Sequence, residues 1–277
     1  MQKLSQYIKQ SLSSYPEREA QALVRIIYQD VLQLNTLDIY LDKDINLSAK
    51  QANELEDILV RLQKHEPIQY IIGSTTFYGL KLKVDRNVLI PRPETAELVE
   101  MIIEENAERT LKIVDIGTGS GCIALSLSAH LPLAEVSAWD ISEGALQLAK
   151  QNAEALSLKV HFEQRDALNL PVIKEKYDVI VSNPPYVRES EKAEMETNVL
   201  DWEPALALFV SDEDPLLFYR KIAEFGKQSL LPNGTIYFEI NQTFGQQTKE
   251  MMEQLGYTQV EIIKDMFGKD RIAKAVR

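Results

Sequence analysis

Four consecutive residues, Asn183-Pro184-Pro185-Tyr186, close the apolar run "YDVIVS". Proline has no N–H to give a sheet, so Pro184 and Pro185 must stop a strand; they also fix two φ angles and leave carbonyl oxygens rigidly directed. Asn183 adds a side-chain carbonyl acceptor. Two convergent acceptors suit a planar NH2 group, which carries two donor hydrogens, and Tyr186 offers an aromatic face for a flat group to stack on. Amide and amino nitrogens of this kind are poor nucleophiles because the lone pair is delocalised. Fixed acceptors on both N–H bonds favour the positive charge that builds as the nitrogen attacks, and a fixed orientation opposite an electrophile removes much of the entropic barrier. Asn183, Pro184 and Tyr186 are therefore candidate catalytic residues, and with Pro185 they form a candidate substrate turn.

A second constellation lies in "KIVDIGTGSGCIALSLS", which reads as strand, loop and helix. Gly117, Gly119 and Gly121 alternate with Thr118 and Ser120 where the strand should end. Glycine lets backbone approach a ligand closely. The spacing is neither the dinucleotide G-x-G-x-x-G nor a P-loop, which favours a small, close-packed cofactor over a pyrophosphate; a tight turn without a ligand is the alternative. Asp140 ends the next strand, "EVSAWD", where a carboxylate can accept from both hydroxyls of a ribose. Asp166 ends the third strand, where it could meet an adenine amine. The structural alternatives are helix capping for Asp140 and a turn for Asp166. Together the glycines and Asp140 suggest an adenosine-containing cofactor. Facing a bound amide nitrogen, the matching electrophile is the sulfonium methyl of S-adenosylmethionine, with Asn183 close enough to count among the cofactor contacts too.

The elements that must position these residues follow from periodicity. Apolar residues at helical spacing after Pro16, and in the segment capped by Ser48 with Gln51 three residues on, predict helices in the first part of the chain. Leu80, Leu82 and Val84 alternate with charged residues between the turn signals Gly73 and Gly79, predicting a hairpin. From about Glu94 strands and helices alternate: "KIVDIG", "EVSAWDIS", "KVHFEQRDA", "YDVIVSN", "GTIYFEIN" and "VEIIKDMFG", with a further strand in "RIAKAVR". That order implies an α/β fold with a mainly parallel, Rossmann-like sheet covered on both faces. The expected organisation is a helical domain at 1–70, a hairpin linker at 71–92 and a catalytic domain at 93–277.

Composition narrows the function. The 277 residues hold 45% hydrophobic and 26% charged side chains, the balance of a globular protein. No run approaches the roughly 18 apolar residues of a membrane span. The first residues, "MQKLSQYIKQSLSSYPEREA", lack the apolar core of a secretory signal. Cys122 is the single cysteine, which excludes an intrachain disulfide and fits a reducing cytoplasm. His65, His130 and His161 stand far apart, so no metal is expected. A net charge of −12 speaks against a protein that grips bare nucleic acid and is compatible with a basic protein partner.

The combination of "FYGL", "LIPRPET", "DIGTGSG", "WD" and "SNPPY" behind a helical N-terminal segment resembles the bacterial peptide chain release factor glutamine methyltransferases, over nearly the whole chain. The resemblance implies transfer of a methyl group from S-adenosylmethionine to the side-chain amide of the glutamine in the Gly-Gly-Gln motif of class I release factors. It implies that Gly117 to Gly121 and Asp140 hold the cofactor, that Asn183 and the Pro184 carbonyl hold the glutamine amide, and that Tyr186 packs on it. The acid of the third strand is often followed by an aromatic residue in this family; here Asp166 precedes Ala167. "IPRPET" (Ile90 to Thr95) either turns the chain into the helix that follows or closes over the cofactor. Glu239 in "FEI" lies near the active edge as a structural or functional carboxylate, and Cys122 reads as a packing residue. "NPPY" is shared with adenine-amine methyltransferases, so a DNA or RNA adenine methyltransferase and a noncatalytic cofactor-binding assembly factor are the rival readings. A monomer is the expected state.

Overall fold

A computed structural model describes residues 3–34 and 45–277. The chain divides into one unit of residues 1–73 with 196–202, and another of residues 74–195 with 203–277.

In the first unit the described helices include Leu4–Ser11, Glu17–Ile26, Ala49–Leu62 and Ile68–Ile72. The helix after Pro16 runs on into a π-helical turn, Ile27–Val31. Ser48 caps Ala49–Leu62: its Oγ accepts from the Gln51 N–H at 3.3 Å, and its own N–H donates to Gln51 Oε1 at 3.1 Å. These two bonds satisfy backbone donors that the first helical turn cannot. Leu55, Ile58, Leu59 and Leu62 then bury one stripe against Ile8, Leu23, Val24 and Tyr28. Each such side chain contributes ~1.5–3 kcal/mol of burial, which lets short helices hold together.

The second unit opens on an antiparallel hairpin, β1 (Ser74–Phe77) and β2 (Leu80–Lys83). The chain reverses at Tyr78-Gly79, both at positive φ (43° and 78°), the two-residue turn whose twist suits a hairpin. Leu82 and Val84 are buried while Lys81 and Lys83 are exposed, as the alternation requires.

The main sheet contains β3 (Lys112–Ile116), β4 (Glu135–Asp140), β5 (His161–Gln164) and β6 (Tyr177–Ser182). After a short parallel pair, β7 (Val187–Arg188) with β8 (Phe209–Val210), it is completed by β9 (Leu230–Glu239), β10 (Thr258–Lys264) and β11 (Asp270–Val276). The order is β10-β11-β9-β6-β3-β4-β5. Strands β9, β6, β3, β4 and β5 pair in parallel, and β11 runs against both of its neighbours. Alternate residues feed opposite cores: Ile113, Val179 and Val181 enter one apolar cluster, Val114, Ile116 and Ile180 the other. Burial on both faces explains why these strands read as continuous apolar runs.

From β3 the chain steps to β4 and β5 on one side, then returns to lay β6 and β9 on the other. The order therefore reverses between β3 and β6, and in open α/β sheets ligands bind in the crevice beyond the carboxyl ends at such a reversal. The glycine loop leaves β3 at that edge, and Asn183 leaves β6 beside it.

Candidate active site

The two strand ends are tied together. Ser182 Oγ, last in β6, donates to the Ile116 carbonyl, last in β3, at 2.5 Å. Beyond them lies a cavity of about 350 Å³, the lower end of the range for small-molecule sites. Its walls carry the glycine loop and Asp140 together with Asn183, Pro184 and Pro185.

The loop folds back over β4, with the N–H groups of Gly117 and Thr118 donating to the Trp139 carbonyl at 2.8 and 2.9 Å. Gly119 has φ 54°, and a Cβ there would meet nothing within 4 Å, so its backbone faces open space. Gly121 differs: with φ 83°, a Cβ would press on Leu125 and Ala149 at 3.1 and 3.2 Å. Its role is to let the helix Cys122–His130 pack closely. Asn152 locks the loop to the hairpin, its Nδ2 donating to the carbonyls of Ser120 (3.0 Å) and Lys83 (3.1 Å).

Asp140 accepts the Gly119 N–H through Oδ2 and the Ser142 N–H through Oδ1, both at 2.9 Å. Burial raises its pKa, and these backbone donors oppose the rise. Each carboxylate oxygen keeps a further lone pair. Asp166 lines the cavity but spends its oxygens on a turn, accepting from the Leu168 N–H (2.9 Å) and Asn169 Nδ2 (2.6 Å). Ile141, Ala167 and Leu168 add apolar wall beside it.

The Asn183 turn is held by a hydrogen-bonded brace whose first member, Thr95, also lines the cavity. Asn183 Nδ2 donates to Thr95 Oγ1 at 3.4 Å, and the Thr95 hydroxyl donates to Glu239 Oε2 at 2.6 Å. The Tyr186 hydroxyl donates to the other oxygen, Oε1, at 3.2 Å, while Asn241 Nδ2 holds the Tyr186 carbonyl at 3.1 Å. Tyr186 is thus pinned behind the turn and does not line the cavity. The segment Arg86 to Arg92 supplies another wall. It is clasped by Glu203, which accepts from the Ile90 N–H at 3.1 Å and from Arg92 Nη2 at 2.5 Å. Glu203 is almost fully buried, so this charge-assisted pairing keeps it from standing as a bare buried charge.

Residues 94–201 match the family model described as "Methyltransferase small domain", and residues 3–73 match "PrmC N-terminal domain". A protein of Bacteroides thetaiotaomicron named release factor glutamine methyltransferase is 56% identical, with 100% of each chain covered. The chain belongs to the release factor glutamine methyltransferase family. Relatives with the same name from Flavobacterium psychrophilum (45% identical, 98% of this chain and 96% of the relative) and Streptococcus pneumoniae (44%, 92% and 90%) agree. A solved methyltransferase from Pyrococcus furiosus shares the fold at a TM-score of 0.54 and 19% identity, covering 80% of this chain and 98% of that one. The chain is a methyltransferase with an α/β fold built on a mainly parallel sheet.

Of the residues singled out in the sequence, Gly117, Thr118, Gly119, Ser120, Asp140, Asp166, Asn183, Pro184 and Pro185 all line the same cavity, whereas Gly121 and Tyr186 support it from behind. Asp115 was assigned no role by motif, and the pairing of Thr95 with Glu239 was not foreseen. Asp115 is buried beneath the loop, where Oδ2 accepts the Thr118 hydroxyl at 2.6 Å and Oδ1 has no hydrogen-bond partner. Thr95 and Glu239 complete the brace behind Asn183. The available signal was a carboxylate inside an apolar run, in "IVDIG" and in "IYFEI".

Proposed function

We propose that this methyltransferase transfers a methyl group from S-adenosylmethionine to the side-chain amide nitrogen of the glutamine in the Gly-Gly-Gln motif of class I peptide chain release factors. One observation carries the reading: the glycine loop with Asp140, and the Asn183-Pro184 acceptor turn, line one cavity at adjacent strand ends.

The residues present fit the cofactor. Gly119 offers a backbone surface that any side chain would obstruct, Asp140 retains lone pairs for a diol, and Asp115 Oδ1 is a buried acceptor left over beneath the loop. Gly117 to Gly121 and Asp140 would hold it, with Asp166 and the apolar wall at its adenine end. When bound, S-adenosylmethionine supplies a methyl group made electrophilic by a sulfonium centre. The chain's own part is to hold the target. Asn183 Oδ1 and the Pro184 carbonyl accept the two amide N–H bonds, fix the nitrogen's direction and favour charge developing on it. Pro185 keeps the turn rigid, and Tyr186 backs it. No general base is needed, because the nitrogen becomes acidic once alkylated.

Among the described residues no helix is long and apolar enough to cross a membrane. With one cysteine and a net charge of −12, we read the protein as a cytoplasmic monomer whose helical unit recognises the release factor and which makes no direct use of nucleic acid. Methyl transfer from tritiated S-adenosylmethionine, offered release factor, DNA and RNA in parallel, tests the proposal. Label should enter release factor alone and vanish when the motif glutamine is replaced. Label in nucleic acid would favour the adenine-amine reading.

A further inference from the structure

Glu239 is a buried carboxyl at the end of β9 that bonds the Tyr186 hydroxyl directly and reaches Asn183 only through Thr95. Burial raises its pKa; the Thr95 hydrogen bond, the Arg271 charge and the Tyr186 hydrogen bond oppose that rise. Arg271 is itself held by Asp265, through Nε at 3.2 Å. Two hydroxyls and the Arg271 charge thus oppose, without cancelling, the rise that burial and the Glu94 charge impose.

Its effect reaches Asn183 through one hydroxyl. Threonine has a single O–H hydrogen and two acceptor lone pairs. At 2.6 Å the Thr95 hydrogen is committed to Glu239 Oε2, so the Thr95 oxygen can only accept. The end of the Asn183 amide that turns toward Thr95 must then be the NH2, as the 3.4 Å contact with Nδ2 has it. A flipped amide would bring two oxygens together and present NH2 to the cavity, where it would meet an incoming N–H as donor against donor.

We infer that Glu239 and Thr95 are positioning residues that set the sense of the Asn183 amide, with Oδ1 toward the substrate nitrogen and NH2 away from it. The inference rests on the reading of Asn183 as the substrate acceptor. By anchoring the Tyr186 hydroxyl on its second oxygen, the same carboxylate braces both ends of the turn.

A double-mutant cycle separates positioning from general support. The probes are full-length release factor and S-adenosylmethionine, both saturating, in single-turnover methylation by the full chain. Thr95→Val should lower the rate ~10-fold or more, as expected when an aligned polar contact to the reacting group is lost. Calorimetry should show a far smaller effect on its cofactor Kd than on the rate, since the glycine loop and Asp140 are kept. Thr95→Ser, which keeps the hydroxyl, should recover most of the rate. In an Asn183→Ala background Thr95→Val should cost little more, because the amide it orients is gone. Thr95→Ala serves as a second hydroxyl-free variant if valine impairs folding. A wild-type rate for the hydroxyl-free variants, or an equal fold-loss in both backgrounds, overturns the inference while leaving Asn183's role intact. A wild-type rate for Asn183→Ala alone overturns the underlying reading instead.

Discussion

Asp140 Oδ2 accepts the Gly119 N–H at 2.9 Å, so the carboxylate expected to meet a ribose also shapes the loop opposite it. Asp140→Ala removes both functions. Charge-assisted hydrogen bonds are worth roughly 1.5–3 kcal/mol each, so affinity for S-adenosylmethionine should fall about tenfold or more. Calorimetric titration measures this. An unchanged Kd would remove Asp140 from the cofactor site.

Asp115 gives a pH signature. Burial pushes its pKa from an ordinary 3.8 to about 7, against hydrogen bonds from Thr118 and Ala124 that pull it down. The folded state thus binds the proton more tightly than the unfolded state. This group's contribution is most favourable below about pH 4, falls as pH rises toward about 7, and is flat above. An asparagine side chain cannot titrate, so relative to wild type the Asp115→Asn variant should gain on the order of 2–3 kcal/mol between pH 5 and pH 8. Urea denaturation of the cofactor-free proteins at both pH values provides the comparison. A stability difference that ignores pH would contradict the assignment.

Recognition of a folded partner makes a kinetic prediction. If the helical unit reads the release factor surface, full-length release factor should be methylated with a kcat/KM at least ~100-fold above that of a short Gly-Gly-Gln peptide. Remote contacts of a few kcal/mol suffice for that ratio. Equal values for protein and peptide would confine recognition to the cavity.

Much of the fold was legible because its signals are local. Strand β2 declared itself by alternation, β3 and β6 by apolar runs that a sheet buried on both faces requires, and the Ala49–Leu62 helix by its capping box. The glycine loop and the Asn183 turn were legible because glycine and proline restrict backbone wherever they occur. What stayed hidden depends on long-range pairing. Thr95 and Glu239 are 144 positions apart, and Ile90 and Glu203 are 113 apart; no periodicity links them. "IPRPET" left open a turn into the next helix or closure over the cofactor; Thr95 lies in the helix Pro93–Asn106 and also lines the cavity. Tyr186 was expected to face the target group, yet its hydroxyl turns to Glu239, because a buried phenol needs a partner and the carboxylate is the one within reach. The segment 196–202 groups with the helical unit, which its polar sequence does not announce.

The proposed mechanism rests on Asn183, and single-turnover methylation of release factor by Asn183→Ala measures its role most directly. The lost acceptor interaction strengthens as charge develops on the amide nitrogen, so its removal should fall on the chemical step, with a rate about a hundredfold or more below wild type. Cofactor affinity should change far less. Asn183→Asp keeps an acceptor of nearly the same shape, though it forfeits the Nδ2 donor to Thr95, and should lie between Ala and wild type. A wild-type rate for Asn183→Ala would reduce the Asn-Pro-Pro-Tyr turn to a strand terminator and contradict the mechanism.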